Sequence, residues 1–196
     1  ETQRGCPYAC TFCNSPGQVA IRKSETGEMF ARKRSIKRVR EEIDILHKKY
    51  NLELIYMIDD TFLALSEKRF DELYEMYSDY KIPFWMNTRC ETMTERRAQK
   101  LEEMNMLRMN FGIEHGNPEY RRKVLKRPTT NERMINAFRM TSEKKYAVAG
   151  DLMIGMPDEN RELVFDSINF TRQLPEDVTR TGAFIFAPFH GTELRN

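Results

Sequence analysis

Residues 36–60 read IKRVREEIDILHKKYNLELIYMIDD, and this stretch decides the fold class. Ile36, Val39, Ile43, Leu46 and Tyr50 step by three and four with charges between them, the period of an amphipathic helix. Residues 52–58 then form a short apolar run rich in β-formers, closed by Asp59-Asp60. A helix feeding a strand that ends in polar residues is half of a βα repeat.

The same pattern continues downstream. Ser66 is a candidate N-cap for a helix carrying Phe70, Leu73, Tyr77 and Tyr80, and residues 83–89 read as a strand. Thr92 with Glu95 fits a capping box for a helix ending near Asn105, followed by a strand at 107–114. Asn117-Pro118 supplies a cap and an N1 proline, and Thr129 with Glu132 a second capping box for a helix to about Tyr146. Residues 147–156 form a strand stopped by Pro157; Leu163, Phe170 and Leu174 mark a helix, and 182–189 a last strand. With a short strand before Cys6 the count is six, each apolar on both faces. An open doubly wound sheet and a barrel-like curl both fit this count. We take the fold class as α/β, a partial TIM-type (β/α)6 barrel of parallel strands with outer helices. In either arrangement ligands gather at the carboxyl ends of the strands, where the unusual residues fall.

Composition bounds the rest. The 196 residues are 40% hydrophobic and 32% charged, enough chain for one sizeable core. Thirty-two Lys and Arg against thirty Asp and Glu leave a net charge of +2, which gives no bulk electrostatic case for nucleic acid. No apolar run approaches the roughly 20 residues of a membrane helix, and the polar start does not read as a secretory leader. A cytoplasmic location is expected. No linker or repeat divides the chain, so residues 1–196 read as one domain. A start without Met, five residues before Cys6, suggests an excised part of a longer protein. The basic run from Ala31 to Arg40 reads as a loop and a solvated helix face balanced by Glu41, Glu42 and Asp44, which leaves nucleic acid a minor alternative partner.

Four cysteines occur, and three fall in one loop: Cys6, Cys10 and Cys13, spaced C-x3-C-x2-C. Pairs within it would close tiny loops, so a metal-holding role in a reducing compartment fits better than disulfides. Three thiolates can each take one iron of a cubane cluster, leaving a fourth iron open for a ligand. The alternative is zinc, closed by Cys90 or a histidine into a structural, non-catalytic site. Cys90 otherwise reads as a small buried hydrophobe, His47 as a solvated residue, and His115 and His190 as proton or substrate contacts.

The loop Arg4-Gly5-Cys6-Pro7-Tyr8-Ala9-Cys10-Thr11-Phe12-Cys13 resembles the cluster motif of the radical S-adenosylmethionine (radical SAM) superfamily. Asp59-Asp60-Thr61-Phe62 resembles the family's second-strand ending. Gly112-Ile113-Glu114-His115-Gly116 is similar to its G-I-E-S-G segment, and Ile154-Gly155-Met156-Pro157 to its I-G-x-P-G-E-T. Residues 188–194, PFHGTEL, resemble P-Y-P-G-T-x-L. The likeness is strongest to members that carry a cobalamin-binding domain and to methylthiotransferases acting on RNA or protein. His115 stands for Ser, Asp158 and Asn160 for Gly and Thr, and His190 for Pro.

The resemblance implies a [4Fe–4S] cluster on Cys6, Cys10 and Cys13. The cluster reductively cleaves SAM to a 5′-deoxyadenosyl radical, or supports methyl transfer to a substrate the sequence does not name. It implies an external electron donor and a small-molecule substrate, and admits cobalamin from a domain outside this chain. Phe12 suits the adenine; Glu114 suits the SAM ammonium or ribose hydroxyls. Asn87 and Arg89 end a strand at the same rim, and the Arg89 fork fits the SAM carboxylate. Arg127 competes for that carboxylate by resemblance. Ile154 and Gly155 can approach adenine through their backbone, glycine without a clashing Cβ. No residue is singled out as a catalytic acid or base.

Overall fold

A computed structural model describes residues 1–28 and 32–195 of the chain. In chain order the elements are β1 (Gln3–Arg4), α1 (Ser15–Thr26), β2 (Arg32–Lys33), α2 (Ile36–Tyr50), β3 (Ile55–Met57), α3 (Glu67–Ser78) and β4 (Phe84–Thr88). They continue as α4 (Glu95–Glu103), β5 (Met106–Glu114), α5 (Pro118–Lys123), α6 (Asn131–Ser142), β6 (Ala147–Ile154), α7 (Arg161–Thr171) and β7 (Thr179–Ile185).

The five strands β3 to β7 pair in sequence order, and every pair is parallel. That order decides between the two sheet types. A doubly wound sheet reverses its strand order at a switch point. Successive right-handed crossovers in one direction put all the helices on one face instead, which is the winding of a partial barrel. Among the described residues the sheet does not close. β1 joins it differently from the strand expected before Cys6: it pairs antiparallel with β2 and meets the end of β3 through side chains. Asp59 Oδ1 accepts from Thr2 N at 2.8 Å and Gln3 N at 2.7 Å, and Gln3 Nε2 donates to Thr61 O at 2.8 Å.

Only the helix-facing side of the sheet is uniformly apolar. Phe84 and Met86 of β4, Met109, Phe111 and Ile113 of β5 and Val148 of β6 pack with Phe70, Leu73, Leu101 and Phe138 of the helices. Phe111 and Phe138 meet edge to face at 5.0 Å. Each such side chain contributes about 1.5–3 kcal/mol on full burial. The inner face carries Trp85, Asn87, Arg108, Asn110 and Asp151, so the expectation of two apolar faces holds for one face only. This concave polar surface is the floor of the site.

α2 spans the predicted helix, capped by Ser35, and Ser66 and Asn117 cap α3 and α5 as expected. Two capping boxes shift. Thr94, not Thr92, caps α4, its Oγ1 accepting from Arg97 N at 3.2 Å. Thr92 sits in a 3₁₀ turn, Cys90–Thr92, and its hydroxyl donates to Arg89 O. Thr130 rather than Thr129 caps α6. The last strand begins and ends earlier than the run at 182–189 suggests. α1 has no counterpart in the sequence reading: its residues SPGQVAIRKSET carry no apolar stripe, and only Ser15 is buried. Ala31, the start of the basic run, lies outside the described residues.

Candidate functional site

The carboxyl ends of the strands and the cysteine loop enclose a cavity of about 350 Å³. Cys6, Cys10, Cys13 and Phe12 line it together with Asn87, Glu114 and Arg127, and with Arg89, which touches Cys10. Eight of the ten residues assigned to the cluster or SAM from the sequence therefore share one space. Ile154 and Gly155 are not in its lining; Met153, just before them on β6, is.

Asp59 and Asp60 fix the entry to the cysteine loop. Asp59 holds the backbone of Thr2 and Gln3, and Asp60 Oδ2 accepts from Gly5 N at 2.7 Å. Neither caps α3, which Ser66 does. Thr11 latches the far side: its Oγ1 donates to Val124 O at 2.6 Å and its carbonyl accepts from Leu194 N at 3.1 Å. Phe12 then packs with Tyr120, Leu125 and Met156, half-buried beside the cavity.

All three loop thiols are free. Thr61 Oγ1 lies 3.4 Å from Cys6 Sγ, Ser15 N donates to Cys13 Sγ at 3.4 Å, and Arg89 Nη1 donates to Cys10 Sγ at 3.0 Å. The Ser15 and Arg89 hydrogens aimed at Cys13 and Cys10 suit thiolates. Burial pushes the Cys10 and Cys13 thiols above the ordinary value, while Arg127 and Arg89 draw Cys10 back. Ligation must therefore displace protons, and it is favoured as pH rises. Among the described residues no three His, Cys, Asp or Glu side chains converge as around a single ion; a cubane spreads its thiolates over separate irons. Cys90 is 1% exposed in the helix-side core, and burial pushes its thiol up to about 12. It lines a separate cavity with Met93 and Arg133, so it is not a fourth donor for the loop. The donor set fits an iron–sulfur cube with one corner free of cysteine.

Glu114 lines the same cavity. It ends β5 at a bulge with φ of 65°, a left-handed conformation costing roughly 1–2 kcal/mol in a residue with a Cβ. The bulge turns the carboxylate into the cavity, where Oε1 accepts from Arg127 Nη1 at 2.6 Å. Arg127 Nη2 donates to Gly112 O at 2.8 Å. Their side chains are 14% and 5% exposed. Burial pushes the Glu114 carboxyl up, and the Arg127 guanidinium opposes that. A Cβ at Gly112 would collide with Glu114 Oε1, so only glycine lets the carboxylate fold back over the strand.

Buried Arg121 organises the loop that delivers Arg127. It donates to Thr129 O at 2.9 Å and to His115 O, and its own carbonyl accepts from Arg127 N at 2.8 Å. Burial lowers its pKa to about 10. His115 is fully buried and packs at a tilt against Tyr120, ring centroids 4.4 Å apart, and it does not line the cavity. His190 and His47 are exposed. Asn110 and Asp151 line the cavity floor and were not singled out. The available signal was a polar residue in the middle of an apolar strand.

The sequence model of the radical SAM superfamily matches residues 1–171. The chain belongs to that superfamily. The cofactors of that family are a [4Fe–4S] cluster and SAM. An uncharacterised methyltransferase of Pyrococcus horikoshii is 31% identical over 194 residues, covering 98% of this chain and 40% of that protein. The cytidylyl-2-hydroxyethylphosphonate methyltransferase of Streptomyces wedmorensis is 24% identical, over 98% of this chain and 36% of its own length. The chain thus spans about two fifths of the length of the curated relatives it matches. In fold it is similar to the radical SAM methyltransferase TsrM of Kitasatospora setae, solved with cobalamin and a [4Fe–4S] cluster bound. The TM-score is 0.80 at 19% identity, over 99% of this chain and 35% of the other. No helix among the described residues of the radical SAM domain is long and apolar enough to cross a membrane.

Proposed function

We propose that this radical SAM domain holds its cluster on Cys6, Cys10 and Cys13 and serves a methyl transfer to a small-molecule substrate. The observation that carries the site is the shared cavity, lined by three free thiols and a buried Glu114–Arg127 pair. The methyl-transfer reading rests on the methyltransferase relatives. Cobalamin fits as a cofactor carried by a domain outside these residues.

Bound in the loop, the cluster supplies the single electron for reductive cleavage of SAM. The protein's part is to hold and orient. Glu114 accepts from the SAM ammonium or ribose hydroxyls. Arg127 and Arg89 are the two cations at the cavity for the SAM carboxylate, a pairing that suits a guanidinium fork. Phe12 packs beside the adenine, and Ile154 and Gly155 meet its edge from the rim. Gly155 has a φ of 77°, and its N–H donates to Glu159 Oε2 at 2.5 Å, which fixes that rim. Asn87 Nδ2 donates to Tyr56 Oη at 2.9 Å, and its buried Oδ1 has no partner, an acceptor left for a ligand. An external reductant is required, and the cytoplasm is the compartment that keeps such thiols reduced. Nucleic acid remains the lesser alternative as substrate.

The test is anaerobic reconstitution followed by SAM and dithionite. Broad visible absorption and formation of 5′-deoxyadenosine or S-adenosylhomocysteine are expected, both lost when the three loop cysteines become Ala. One bound zinc and no colour would overturn the reading.

A further inference from the structure

Arg89 is 6% exposed, a charged side chain deep behind the cysteine loop. Its Nη1 donates to Cys10 Sγ at 3.0 Å, and its Nε donates to Glu91 Oε1 at 2.7 Å. Glu91 is itself half-buried, its side chain 12% exposed. The Tyr8 ring covers the guanidinium, with Cζ 3.8 Å from the ring centroid. Tyr8 and Cys10 belong to the cysteine loop; Arg89 and Glu91 follow β4. The result is a cation locked against one ligand sulfur by a carboxylate and an aromatic face, in a water-poor setting where charges act strongly.

We propose that Arg89 and Glu91 set the reduction potential of the cluster, in opposite directions, through the sulfur of Cys10. The inference rests on Cys10 being a cluster ligand, and it goes beyond any share of Arg89 in holding SAM. Reduction adds one electron from an external reductant to the cluster and so adds negative charge beside Cys10. A hydrogen bond and a positive charge at that sulfur stabilise the reduced cluster more than the oxidised one, which raises the potential. Glu91 offsets part of that charge. Pairing Arg with Glu in one pocket thus holds the potential between two extremes.

The experiment is a potentiometric titration of the reconstituted chain without SAM, followed by the electron spin resonance signal of the reduced cluster. The variants are Arg89→Gln, Arg89→Lys and Glu91→Gln. Arg89→Gln is expected to lower the midpoint by at least a tenfold change in the reduced-to-oxidised ratio, about 59 mV for one electron. Glu91→Gln is expected to raise it, and Arg89→Lys to stay nearer the parent. Opposite shifts are a result that mere loosening of the loop does not give. Midpoints unchanged, or both Gln variants moving the same way, overturn the proposal. If Arg89→Gln takes up no cluster, Glu91→Gln decides alone, and an unshifted midpoint there refutes it. Failure of the unaltered chain to take up a cluster is a separate outcome, which removes the cysteine-loop reading and this proposal with it.

Discussion

His115 Nε2 lies 3.2 Å from Glu159 Oε1, which sets the end of β5 against the turn after β6 without a hydrogen bond between the two atoms. His115 Nδ1 accepts from Asn117 N at 2.9 Å, so the proton of the neutral ring sits on Nε2, facing the carboxylate. Burial also lowers the His115 pKa, which keeps the ring neutral near pH 7. Glu159 Oε2 accepts from the backbone of Gly155 and Met156. One buried carboxylate thus fixes the rim beside the cavity. Glu159→Ala strips the acceptor from those partly exposed groups at a cost of about 1 kcal/mol. Urea unfolding should show a lower midpoint with an unchanged slope, and equilibrium dialysis a weaker affinity for SAM.

Acidification should weaken SAM binding earlier than an ordinary glutamate would dictate. Burial raises the Glu114 pKa, so the carboxylate takes up its proton as pH falls through a value above the usual one. The protonated form accepts fewer hydrogen bonds from an ammonium or hydroxyl. Dialysis against labelled SAM across a pH series checks this, and Glu114→Gln should flatten the acid limb at a uniformly low affinity.

Gly112→Ala places a methyl against Glu114 Oε1. The carboxylate must turn away and loosen its pair with Arg127, while the cysteine loop is untouched. Cluster content by iron and sulfide assay should match the parent, with SAM affinity down at least tenfold.

Removing the cation entirely is harsher. Arg127→Ala leaves Glu114 buried without its partner, which costs about 3 kcal/mol. For a chain of this size that is a Tm drop of roughly 6–12 °C by calorimetry.

Cys90→Ala is the control for the metal assignment. Cys90 is packed in the helix-side core, away from the loop. The variant should keep full cluster absorption and lose only about 1 kcal/mol of packing, whereas Cys6→Ala, Cys10→Ala and Cys13→Ala should each lose the cluster.

The sequence by itself determined the βα alternation, the cysteine loop and the family, because periodicity and ligand spacing are local properties of the chain. Ile36 to Tyr50 is a helix and Phe84 to Thr88 a strand for reasons contained within each segment. Caps were legible to within one or two residues, as Thr94 and Thr130 show, since a nearby threonine offers the same capping hydroxyl. Only the tertiary structure decided the winding of the sheet, because strand order depends on where each crossover returns. It alone brought Glu114 to Arg127, Arg89 to Cys10 and His115 to Glu159. Those partners lie 13, 79 and 44 residues apart in the chain, and no local pattern encodes a contact made by folding strand ends onto one rim.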